Sequence, residues 1–124
     1  IGDAMSTLKA DTIQNTSGGA VTLTKQHAAK MWVDYTTVSS TAISKSFNVS
    51  SLTDNGTGDT TINITSSMDG VDYAPSGLSS YTYAVIMISD NGKAAGSIDA
   101  ETRNVSDSLG DSNDNSVLIH GDLA

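Results

Sequence analysis

Between Lys30 and Met68 the chain alternates apolar and polar residues, pauses, alternates again, turns on a Gly/Asn/Asp cluster and alternates a third time. That is the pattern of an antiparallel meander with one buried face. Ala29–Tyr35 is predicted as a strand with Met31, Val33 and Tyr35 on one face and Trp32 and Asp34 on the other. Ala42–Val49 puts Ile43, Phe47 and Val49 in phase, with Lys45 as the polar exception. A turn at Thr53–Asp59 contains Asp54-Asn55-Gly56 and Gly58, residues that tolerate positive φ. Thr60–Ser66 carries Ile62 and Ile64 in phase. Tyr81–Ser89 is apolar on both sides, which predicts a central strand or a subunit contact. Gly96–Val105 and Ser116–His120 complete the set, and a single turn at Ser66–Gly70 is the one helical reading. The expected fold class is all-β: an antiparallel β-sandwich of about seven to nine short strands.

Two longer segments read as loops, Asp69–Ser80 with Gly70, Pro75 and Gly77, and Ser106–Asn115, almost wholly Ser, Asp, Asn and Gly. Residues 5–27 differ from the rest. Leu8, Ile13, Val21 and Leu23 are isolated among polar residues, and Leu8–Ile13 and Val21–Thr24 suit the arms of a hairpin turning at Ser17-Gly18-Gly19. Such a hairpin buries too little to stand alone. The organisation expected is therefore an N-terminal oligomerisation segment over 5–27, exchanged between subunits, and a sandwich domain over 28–124. Ile1–Ala4 precede a natural-looking start at Met5 and read as an appended remnant.

Composition narrows the function classes. At 124 residues the chain is one domain, and 37% hydrophobic with 5% aromatic content gives it a lean core. Roughly a quarter of the residues are Ser or Thr, which suit pleated strands, exposed faces and turns. The net charge of −8, with six scattered basic residues, predicts no nucleic-acid partner. No run of about 18 apolar residues occurs, so no membrane insertion is expected. The absence of Cys excludes disulfides and thiolate chemistry, and small β-proteins without disulfides commonly gain stability by oligomerising.

The segments KADTIQNTSGGAVTL, KMWVDY, SFNVSSLTDNGTGDTTINIT and SVLIHGDLA together resemble a family of short β-rich proteins of phages and prophages, especially of marine bacteria, that serve as tail-fibre or virion components. Its members carry a Trp-Val-(Asn/Asp)-(Phe/Tyr) strand followed by Ser-Phe-Asn-Val-Ser-Ser and Thr-Asp-Asn-Gly-Thr-Gly-Asp. The resemblance implies a structural or adhesive virion surface protein made in the bacterial cytoplasm; it does not imply catalysis or a cofactor, and neither is expected. Its expected partners are copies of itself in a homotrimer, other virion proteins, and a host cell-surface glycan or protein receptor. The expected function is that of a tail-fibre tip or receptor-binding module. The alternative is a purely structural part, a head decoration or fibre-linking protein without receptor binding.

The candidate binding residues are Tyr73, Asp72, Ser76 and Tyr81 in or beside the first loop and Asp111 and Asn113 in the second. A flat aromatic ring beside short oxygen acceptors suits carbohydrate, and Tyr73 lies between Asp72 and a Pro-Gly turn. Trp32 reads as a packing or interface anchor, with sugar stacking as the alternative. Gly110-Asp111-Ser112 resembles a serine-esterase block but sits near the C-terminus of a chain without helical segments. Asp111-Ser112-Asn113-Asp114-Asn115 resembles the start of a calcium loop yet lacks the Gly at its sixth position and the closing Glu. His27 and His120 have no third ligand at recognisable spacing, so no metal site is predicted. Glu101 is the sole Glu, and nothing places two carboxyls together for glycoside cleavage.

Overall fold

The computed structural model describes residues 9–19, 28–80 and 85–124. Its strands are β1 (Ala29–Thr36), β2 (Ala42–Phe47), β3 (Val49–Gly56), β4 (Asp59–Ile64), β5 (Ala74–Ser79), β6 (Val85–Ala94), β7 (Ser97–Arg103) and β8 (Asn115–His120). They form two four-stranded antiparallel sheets, a front sheet in the order β2-β1-β8-β5 and a back sheet in the order β3-β4-β7-β6. The all-β sandwich expected from the alternation is therefore present. The chain changes sheet after β2, β4, β5 and β7.

The core lies between the central strands. Met31, Val33 and Tyr35 of β1 and Val117 and Ile119 of β8 face Ile62 and Ile64 of β4 and Ile98 and Ala100 of β7, all buried. Each alternates with a residue of the opposite face, so the period of two assigns one side of every central strand to the core. Full burial of one such aliphatic side chain contributes about 1.5–3 kcal/mol. Burial also pushes the Tyr35 phenol up to about 12.

Four readings of the pattern change. The apparent strand Ala42–Val49 is two strands meeting at Asn48, where φ is 59° and the chain turns from one sheet to the other. The Asn48 Nδ2 donates to the carbonyls of Lys30 at 2.9 Å and Ser66 at 3.1 Å, while its Oδ1 accepts from the Ser66 N–H at 2.7 Å. Unbroken apolar phase through Val49 conceals this corner; an Asn that tolerates the left-handed region produces it. Tyr81–Ser89, read as a central strand or a subunit contact, is described as β6 from Val85 to Ala94 and lies at a sheet edge among the described residues, which overturns the central alternative. Apolarity on both faces reports what covers a strand, not which strands flank it. The turn at Ser66–Gly70 is not helical; Met68 instead bridges to Leu123.

The last change concerns Asp69–Ser80, half of which is the edge strand β5. Pro75 is tolerated there because, among the described residues, β5 has a strand neighbour on one side only. Gly77 is needed because β5 packs directly on β6: a Cβ at this position would meet Ile86 Cγ2 at 3.1 Å and the Ser116 carbonyl at 3.0 Å. In the N-terminal segment, the predicted turn is present. The Asn15 Oδ1 accepts from the N–H groups of Ser17 and Gly19 at 2.9 and 2.8 Å, and Gly18 has φ 79°. Leu8 and Val21–Thr24, on which the exchanged hairpin depends, lie outside the described residues.

Candidate interaction surface

The residues predicted to bind do not converge. β5 starts beside His120 and ends beside Asn115, so the segment before it and the segment before β8 sit at opposite ends of the sandwich. Asp72 is therefore at one end and Asp111 and Asn113 at the other, with Ser76 between them on the exposed side of β5. Tyr81 lies outside the described residues.

Tyr73 is a core residue, 5% exposed, and cannot act as a surface platform. Its hydroxyl donates to the carbonyls of Ala94 at 3.0 Å and Ser97 at 3.1 Å, tying β5 to the β6–β7 hairpin. Lys93 Nζ sits 5.2 Å from the ring centroid and donates to the Tyr73 carbonyl at 3.2 Å. Burial raises the phenol's pKa, the Ala94 hydrogen bond opposes this, and the charge of Asp99 adds to it. Beside it, Met68, Asp69, Asp72, Ala74, His120 and Asp122 line an open groove of about 540 Å³.

The second loop is fastened rather than free. Asp111 Oδ1 accepts the Gly58 N–H at 2.9 Å, and residue 58 takes glycine because its φ is 66° and a Cβ would stand 2.6 Å from the Gly110 nitrogen. Ser112 is buried: its N–H donates to Thr37 Oγ1 at 2.9 Å, and its hydroxyl donates to the Ser80 carbonyl at 3.2 Å. Asn115, fully buried, donates to the carbonyls of Tyr35 and Ser112 and accepts from the Ser79 hydroxyl at 2.7 Å. The Gly-Asp-Ser block and the calcium-like run thus serve as fastenings. Among the described residues no group of three or more His, Asp or Glu is placed to hold a metal.

What the fold does assemble is the outer face of the front sheet. Register places Phe47, Trp32, Leu118 and Ser76 in one row across β2, β1, β8 and β5. The adjacent row is Lys45, Asp34, Ser116 and Leu78. Phe47 is 53% and Leu78 75% exposed, with Trp32 and Leu118 half-buried beside them. Lys45 is exposed and makes no ion pair among the described residues. Asp34 has the Asp114 carboxyl as its hydrogen-bond partner; partial burial first, then that bond and its charge, raise the Asp34 pKa. The alternation of β1 could indicate that Trp32 faces away from the core. That Phe47 and Leu118 join it required strand order and register, which a single sequence does not print.

Comparisons with protein-family models, with curated proteins and with solved structures each found no match to this chain.

Proposed function

We propose that this chain is a non-enzymatic virion component that works by protein–protein contact through the outer face of its front sheet. The observation that carries this reading is the in-register row Phe47–Trp32–Leu118, flanked by Leu78, on a sheet face that no other part of the described chain covers. A contiguous exposed apolar patch rimmed by charge marks an interaction site, and Trp is enriched in the residues that dominate interface energy. Resemblance to phage tail-fibre and virion proteins supplies the setting. The burial of Tyr73 and the fastening of both predicted loops shift the weight from glycan recognition by loops toward contacts with proteins, whether other virion parts or a host surface protein.

The test is to label the purified protein and measure its retention on particles released by the source bacterium and on intact cells. Retention is expected and should fall at least about tenfold for Phe47→Asp. Equal retention of the variant, or none of either protein, overturns the reading.

A further inference from the structure

We infer that the outer face of the front sheet docks a second copy of this chain, in a two-fold arrangement that sets Lys45 of each copy on Asp34 of the other. The inference rests on the reading of this face as a protein-contact surface, and names its occupant.

Charge complementarity within the face selects that occupant. Asp34 and Asp114 place two carboxyl groups together, and neither forms an ion pair among the described residues; the cation beside them is Lys45, across from Asp34 in the β1–β2 register. One strand away, in the same row, Lys45 is exposed and makes no ion pair among the described residues. Lys93 lies on Tyr73, Arg103 is held by Glu101 at 2.6 Å and Asp107 at 3.0 Å, and Lys30 is buried, which leaves Lys45 as the exposed cation within this face. With a net charge of −8, two copies repel in most orientations, and the face that carries its own cation beside an acidic pair is the favoured exception.

A two-fold axis running along the strands between β1 and β2 satisfies both rows together. It exchanges β1 with β2 of the partner, so Lys45 meets Asp34 twice, and Phe47 meets Trp32 twice. An isologous interface requires this reciprocity, and the aromatic pairs add edge or offset stacking to buried area. With the axis there, β1 and β2 of each copy overlap while β8 and β5 lie outside the contact, which is therefore small, roughly 10 by 20 Å for two strands about 4.8 Å apart with about 3.3 Å per residue. That is below a standard stable interface, so the dimer is expected to be concentration-dependent.

Sedimentation equilibrium of the full purified chain should show a mass rising from monomer to dimer with concentration. Trp32, the sole Trp, should shift its emission to the blue over the same range. Lys45→Asp and Asp34→Lys should each weaken association at least about tenfold, with circular dichroism unchanged. An equimolar mixture of the two variants should recover it, because both ion pairs re-form in the mixed dimer. A monomer at the highest soluble concentration, or a mixture no stronger than either variant, overturns the inference. If the protein is monomeric and Phe47→Asp still abolishes retention on particles or cells, the face binds a different protein and the proposed function stands. If neither association nor retention occurs, both fail.

Discussion

The two outer faces of the sandwich are built on the same alternation and end in opposite chemistry. On the back sheet the outward residues are Ser51 and Thr53 of β3, Thr61 and Asn63 of β4, and Ser97, Asp99 and Glu101 of β7. They satisfy one another. Asn63 Nδ2 donates to Ser51 Oγ at 3.1 Å and Thr53 Oγ1 at 3.0 Å, and Thr61 Oγ1 donates to Asp99 Oδ1 at 2.5 Å. Asn55 extends the ladder to Asp59 and Thr61 at 3.2 and 2.8 Å. The front sheet exposes Phe47 and Leu78, a Lys45 with no ion pair among the described residues, and a crowded acid pair. One face closes its hydrogen bonds within the chain, and the other leaves area and charge for a partner. Polar composition alone does not separate the two; cross-strand pairing does.

The sharpest way to break this comparison is to exchange an interior aromatic for an exterior one. Tyr73→Ala removes a buried ring and a hydroxyl bonded to two carbonyls, and should cost about 3–5 kcal/mol in urea unfolding. Trp32→Ala removes a half-buried ring on the outer face. It should cost clearly less stability while abolishing retention on particles or cells. If Trp32→Ala proves as destabilising as Tyr73→Ala, the outer row is a satellite core rather than a contact surface.

The contrast between these aromatics shows where legibility ended. Strict alternation in β1 and β4 put Met31, Val33 and Tyr35, and Ile62 and Ile64, in phase without tertiary information, because period two ties every second residue to one face. Tyr73 was unreadable because β5 hides behind Pro75 and Gly77, residues that ordinarily mark a loop. Their use here follows from the edge position and the close approach of Ile86. The Asn48 corner was hidden for the reverse reason, since apolar phase continues across it. The front-face row depends on register between strands far apart in sequence, Trp32 with Leu118 above all. Local pattern carries no term for such pairing.

A smaller effect tests the self-sufficient face. Asn63→Ala deletes two side-chain bonds that cross from β4 to β3 in a solvent-exposed setting. Each exchanges with water, so the loss should be about 0.5–1.5 kcal/mol in urea unfolding. Retention and dimerisation should be unchanged. A variant that unfolds normally but loses retention would place the contact on the back sheet and invert the comparison.

The smallest effect concerns the acid pair, and its sign is fixed by linkage. The Asp34 pKa in the folded chain is raised above its ordinary value of 3.8, by partial burial and then by Asp114. In the window between those two values the folded state binds more protons than the unfolded state, so stability falls as pH rises through it. The destabilisation is absent below the unfolded pKa and complete above the folded one. Asp34→Asn removes the group that titrates, and the variant should melt at a higher temperature than the parent at pH 7. The two should converge as the pH is lowered to about 3, where the parent carboxyl is protonated in both states. The same substitution removes the acceptor offered to Lys45 of a second copy, so in one protein it should raise the melting temperature of the dilute monomer and weaken dimerisation. A Tm difference that persists at low pH would show that Asp34 is destabilising through packing rather than charge, and would remove the electrostatic reason for a partner's cation to seek it.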